Sequence, residues 1–121
     1  MTYALVVDDN RATADSLVRV LQALNVPSRA AYGPGPGMAI LSSETPKVIF
    51  LDINMPGVTG FEILSYCNRE PRLSSVPVFV VTSDDQPQTR NQAFQGGAKA
   101  FLVKPVTVDL LEEELKKNNL L

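Results

Sequence analysis

Five side chains far apart in the sequence each stand at the end of an apolar run. Asp8 and Asp9 follow Tyr3-Ala4-Leu5-Val6-Val7, and Asp52 follows Val48-Ile49-Phe50-Leu51. Thr82 follows Val76 to Val81, and Lys104 follows Ala100-Phe101-Leu102-Val103. Taken alone, Asp52 is equally readable as a turn aspartate closing a strand at Pro56-Gly57. Brought together, the five side chains define a chemistry. Three carboxylates repel one another, and burying them is costly without a cation. The chain has no histidine and a single cysteine, so an oxygen-only donor set points to Mg²⁺ or Mn²⁺ rather than zinc or copper. Lys104 can pair with Asp52 or with an oxyanion attached to it, and Thr82 supplies a hydroxyl donor. A metal, an ammonium and a hydroxyl aimed at one point suit a phosphoryl group, and a carboxylate can attack phosphorus to give an acyl phosphate.

The elements must bring these residues to one place. Unbroken apolar runs over Tyr3–Val7, Val48–Leu51, Val76–Val81 and Ala100–Val103 predict strands buried on both faces, as in a parallel sheet. Ser28–Ala31 is a weaker strand, expected at an edge. Between the strands, helical spacing recurs. Asn10 caps a helix carrying Ala14, Leu17, Val18, Leu21 and Leu24, which ends at Asn25 and the break before Pro27. A second helix begins at Thr59 or Gly60, with Phe61, Leu64 and Cys67 on one face, so Cys67 reads as a core residue. Another runs from about Pro87 to Gln95 and stops at Gly96-Gly97. The last spans about Val108 to Asn118, with acids early and Lys116-Lys117 late, which suits the helix dipole. Five strand-then-helix repeats predict an α/β domain with a parallel sheet covered on both faces. Strand carboxyl ends then share one edge, where open α/β sheets place their ligands.

Tyr32-Gly33-Pro34-Gly35-Pro36-Gly37 fits this scheme least well. A glycine-rich phosphate cradle is one reading, but Pro34 and Pro36 lack the N–H groups that a cradle needs. The expectation is a rigid loop with no helix through it, leading into a short helix from Met38 to Ser43 that Pro46 closes.

With 121 residues, the chain fits one domain, residues 1–121. Hydrophobic content of 45% and charged content of 20% describe an ordinary globular domain. A net charge of −2 without a Lys/Arg cluster argues against direct nucleic-acid binding. Without histidine, Ser-His-Asp and Cys-His catalysis are excluded. The amino-terminal apolar run is too short for a signal peptide or membrane span. A cytoplasmic location without membrane association is the default.

Asp8-Asp9, Asp52 with Met55-Pro56-Gly57, Thr82 and Lys104-Pro105, in this order, closely resemble the receiver (response-regulator) domains of two-component signalling. The resemblance covers essentially the whole chain. It implies a doubly wound, flavodoxin-like five-stranded sheet of order 2-1-3-4-5. It also implies a switch rather than an enzyme, a phosphoprotein that carries an aspartyl phosphate in a phosphorelay. By this resemblance Asp52 is the phospho-acceptor. Asp9 binds Mg²⁺ directly, Asp8 acts largely through water, and Asn54 contributes its backbone carbonyl. Thr82 and Lys104 stabilise the phosphoryl group, and Thr82 and Phe101 move together as the switch. Asp84 matches a position that tunes access of water, although it also reads as a cap or loop acid. Phe101 also reads as a plain core residue. Ser83 stands where alanine or glycine is frequent and is expected to crowd the entrance or add a hydrogen bond.

The implied partners are a histidine kinase or histidine phosphotransfer protein, a downstream protein or effector domain, and a second copy in a phosphorylation-dependent homodimer. Three other readings compete. An aspartate-nucleophile phosphatase would resemble Asp-x-Asp, but Asp52-Ile53-Asn54 lacks the second acid. A receiver-like interaction module would work without phosphorylation, against which the intact acid set argues. A flavin-binding protein would need a phosphate loop after the first strand, which is absent.

Overall fold

A computed structural model describes residues 2–57 and 59–121. Strands and helices alternate through the chain: β1 (Ala4–Val7), α1 (Arg11–Ala23), β2 (Ser28–Ala31), α2 (Pro34–Leu41), β3 (Val48–Leu51), α3 (Gly60–Arg69), β4 (Val78–Thr82), α4 (Pro87–Gln95), β5 (Ala100–Val103) and α5 (Val108–Lys117). The five strands form one sheet of order β2-β1-β3-β4-β5, and every pair is parallel. This is the doubly wound architecture that the alternation predicts.

Side-chain alternation along the strands divides the core in two. Leu5, Val7, Ile49, Leu51, Val78, Val80 and Phe101 pack on the face covered by α2, α3 and α4, with Leu41, Ile63, Leu64, Cys67 and Ala93. Ala4, Val6, Val48, Phe50, Phe79, Val81 and Leu102 pack on the opposite face with Leu17 and Leu21 of α1 and Leu111 and Leu115 of α5. Two apolar layers explain why the central strands read as unbroken hydrophobic runs. Phe50 and Phe79 meet edge to face, with centroids 5.3 Å apart. β2 is partly exposed, as befits an edge.

The structure overturns one expectation. Residues Pro34 to Gly37, read as a loop, form the first turn of α2, and the helix ends at Leu41 rather than Ser43. The first four N–H groups of a helix have no partner within it, so prolines there sacrifice nothing. Gly37 makes the first return bond, its N–H donating to the Gly33 carbonyl at 3.2 Å. Gly37 also allows close packing: a Cβ there would lie 2.8 Å from Val7 Cγ1. The far end of α2 is held by Arg72, which donates to the Leu41 and Glu44 carbonyls and the Thr45 hydroxyl. Smaller shifts occur elsewhere. β4 starts at Val78, because Pro77 lacks a donor and offers only its carbonyl, to Ile49 N–H.

Candidate functional site

Backbone ladders continue one residue past the strands and set the site residues in a row. Asp8 N–H donates to Ala31 O at 3.1 Å, Asp52 N–H to Val7 O at 3.0 Å, and Lys104 N–H to Thr82 O at 2.8 Å. Alternation then aims Asp8, Asp52 and Lys104 toward the α1/α5 side of the sheet edge and Thr82 toward the α3/α4 side. Behind Asp52 the chain is tightly fixed. Gly60 N–H donates to Ile53 O at 3.2 Å, and a Cβ at Gly60 would collide with the Asp52 carbonyl.

Asp8, Asp9 and Asp52 each offer a carboxylate oxygen, and these oxygens all lie within 4.8 Å of one another. Asp8 and Asp52 are buried, whereas Asp9 is exposed. Lys104 Nζ bridges the buried pair, 2.8 Å from Asp8 Oδ2 and 3.4 Å from Asp52 Oδ2. Asp8 is the better satisfied. It accepts from Asn10 N–H at 2.9 Å and from the Thr13 hydroxyl at 2.7 Å. Asp52 accepts from Asn54 N–H at 3.1 Å on its other oxygen.

This asymmetry separates the two acids electrostatically. Burial pushes both carboxyls up. For Asp8 the bonds from Lys104, Asn10 and Thr13 outweigh burial and hold its pKa below the ordinary value. For Asp52 burial prevails over Asn54 and Lys104, and the neighbouring Asp8 charge adds to it, so its pKa is raised. Burial alone would depress the Lys104 ammonium, but its two carboxylate partners more than offset this, and its pKa is raised.

Thr82 is fully buried, and its hydroxyl oxygen accepts from Asn54 Nδ2 and from Asp84 N–H, both at 3.2 Å. The sequence pointed to Asn54 for its backbone carbonyl; in the structure its side chain also engages Thr82. Asp84 is turned to its own helix, accepting from Gln86 N–H at 2.9 Å and the Thr89 hydroxyl at 2.8 Å. Ser83 is exposed. Phe101 is packed into the α2/α3/α4 layer, with the Arg90 guanidinium 5.9 Å from its ring centroid and 5.0 Å from that of Phe94. Sequence reasoning missed Thr13 and Arg90. The signal for Thr13 was present: a hydroxyl three residues after the Asn10 cap, whose side chain accepts from Thr13 N–H at 3.1 Å. Cys67 is core, as its spacing implied, and burial pushes its thiol up to about 11, so it is no reactive group at neutral pH.

Comparison with known proteins agrees with this geometry. Residues 4–116 match the model of the response regulator receiver domain. The chain is 32% identical over 111 residues to Protein PilH of Pseudomonas aeruginosa, covering 92% of each chain. It is 33% identical over 107 residues to the two-component response regulator ORR13 of Oryza sativa, covering 88% of each. Among solved structures, the receiver domain of a DNA-binding response regulator from Colwellia psychrerythraea superposes with a TM-score of 0.90 at 26% identity, covering 98% of both chains. The chemotaxis protein CheY4 of Vibrio cholerae gives 0.88 at 26% identity, over 97% of this chain and 98% of that one. A match along nearly the whole sheet and its acidic edge leaves one assignment: this chain belongs to the response regulator receiver domains of two-component systems.

Proposed function

We propose that Asp52 accepts a phosphoryl group from the phosphohistidine of a histidine kinase or histidine phosphotransfer protein. The observation that carries this reading is the convergence of Asp8, Asp9, Asp52 and Lys104 on one sheet edge. The donor set fits Mg²⁺ or Mn²⁺: the acids present oxygen only, and their oxygens lie close enough to share one ion. Asp8, Asp9, Asp52 and the Asn54 carbonyl would hold it. When bound, such an ion neutralises the carboxylates and polarises phosphoryl oxygens.

The chain's own groups carry the rest. An Asp52 oxygen attacks phosphorus as the bond to the donor imidazole breaks. Lys104, with a raised pKa, remains an ammonium and can exchange its carboxylate partners for a phosphoryl oxygen. Thr82 can turn its hydroxyl to the same group, giving up its present donors Asn54 and Asp84. Phe101, on the neighbouring strand, adjusts with it. The readout face is that of α4, β5 and α5, where Phe94, Val103 and Val108 are 39%, 38% and 43% exposed. A downstream protein, an effector domain or a second copy would dock there. The domain acts as a switch and is not proposed to turn over a substrate.

The test is incubation with Mg²⁺ and acetyl phosphate, followed by intact-mass measurement. One labile phosphate is expected on the wild-type chain and none on Asp52→Asn. Labelling that persists in the variant overturns the assignment.

A further inference from the structure

Next to the acid cluster, on the α1/α5 side of the sheet, a cleft of about 360 Å³ opens. Its walls are Val6, Phe50 and Val81 from the sheet, Leu17 from α1, and Pro105 and Val106 from the segment after β5. Asp8, Asp52 and Lys104 line it at the sheet edge, and Thr13 and Ser16 line it from α1. α1 presents two short hydroxyl side chains to the cleft, and Thr13 spends its hydroxyl on Asp8.

We propose that this cleft is a binding site for a small amphiphilic cation, an amine on a fused aromatic body. Size argues for the body: an apolar cavity of roughly 150 Å³ already admits benzene, and this one is larger. Charge argues for the head. Two of the three ionic groups that line the cleft are carboxylates, and Lys104 is already engaged by both. Asp52 Oδ2 has only the 3.4 Å contact with Lys104, while Asp52 is 7% exposed. An ammonium reaching it gains a charge-assisted hydrogen bond. A carboxylate entering instead would be desolvated against Asp8 and Asp52. Occupancy would place the amine on the oxygen that takes the phosphoryl group, so the ligand would compete with phosphorylation. That consequence rests on the phosphotransfer reading, whereas the binding does not.

The experiment titrates 1-naphthylmethylamine into the whole chain, read by methyl NMR and calorimetry without Mg²⁺ or phosphodonor. Saturable shifts are expected at the methyls of Val6, Leu17, Val81 and Val106. Binding of 1-naphthoate, the anion of similar shape, is expected to be at least about tenfold weaker, the 1.4 kcal/mol that one ionic contact readily supplies. Ser16→Leu narrows the mouth from exposed helix surface, where leucine is a good helix former. Val106→Phe narrows it from the other wall. Each variant is expected to weaken the amine at least about tenfold, with circular dichroism unchanged. A variant whose circular dichroism changes is set aside and the other decides. No saturable methyl shift, shifts elsewhere only, naphthoate within tenfold, or a smaller loss in a folded variant overturns the proposal. Phosphorylation of the ligand-free chain, measured separately, tests the other reading independently.

Discussion

Asp8 and Asp52 are neighbours of the same kind whose contributions to folding have opposite signs. Asp8 has a lowered pKa in the folded chain. Its stabilisation is present above the unfolded carboxylate pKa and is lost as pH falls through the lowered folded value. Asp52 has a raised pKa. Its contribution favours the protonated form, is fullest below the unfolded pKa, and is lost as pH rises through the folded value. At neutral pH the ionised Asp52 is therefore a net cost to folding. Asp52→Asn, which resembles the protonated acid, is expected to raise Tm at pH 7. Asp8→Asn removes the stronger partner of Lys104 and is expected to destabilise by about 1–2 kcal/mol. Thermal melts of both variants at pH 7 and pH 4 check the signs: the gain from Asp52→Asn shrinks on acidification, where the wild-type acid protonates itself. The same shift can be followed directly. Lys104→Met removes a charge that lowers the Asp52 pKa and is expected to move the Asp52 carboxyl titration, read by NMR without a divalent cation, to higher pH. A titration that stays in place in the variant contradicts that origin.

At the scale of elements, α2 shows how far the sequence could be read. Strands β1, β3, β4 and β5 were legible because a strand buried on both faces leaves a plain apolar run, and the residue that breaks the run is the site residue. Asn54 bonding Thr82 was not legible, because the partner of an amide depends on the path of the loop after β3. α2 was misread because proline and glycine were weighed as interior breakers, whereas at the first turn the missing donors have no helical partner. Its two inner glycines differ in consequence. Around Gly35 an added Cβ meets nothing within 4 Å beyond its chain neighbours, but Gly35 holds helical backbone directly before Pro36, where a Cβ is disfavoured. This offsets the gain through the unfolded chain, so Gly35→Ala is expected to change stability by less than about 1 kcal/mol. At Gly37 the added Cβ presses on Val7 Cγ1. Gly37→Ala is expected to destabilise by about 1–3 kcal/mol, as overpacking does. Urea unfolding of the two variants makes the comparison, and stabilisation by both would contradict the tight α2–β1 contact.

For the whole molecule, the sheet is what concentrates charge. Parallel strands deliver three carboxylates to one edge, and the described residues provide one ammonium, Lys104, to bridge two of them. The fold thereby carries electrostatic strain that a bound divalent cation would relieve, so on the proposed reading ion binding and folding are linked. A ligand that binds the folded chain alone stabilises it by RT ln(1 + [L]/Kd), about 1.4 kcal/mol at ten times Kd. Mg²⁺ is therefore expected to raise Tm by several degrees in the wild type. Asp9→Asn removes an exposed acid, whereas the ion pairs of Lys104 are with Asp8 and Asp52, so its basal Tm should change little while the Mg²⁺ increment largely disappears. Asp52→Asn should combine a higher basal Tm with a smaller increment, because the repulsion the ion relieves is already reduced. Melts with and without EDTA, at constant ionic strength set by KCl, separate this specific increment from general screening. An equal Mg²⁺ increment in wild type and both variants would show that the three acids do not act as one cation site.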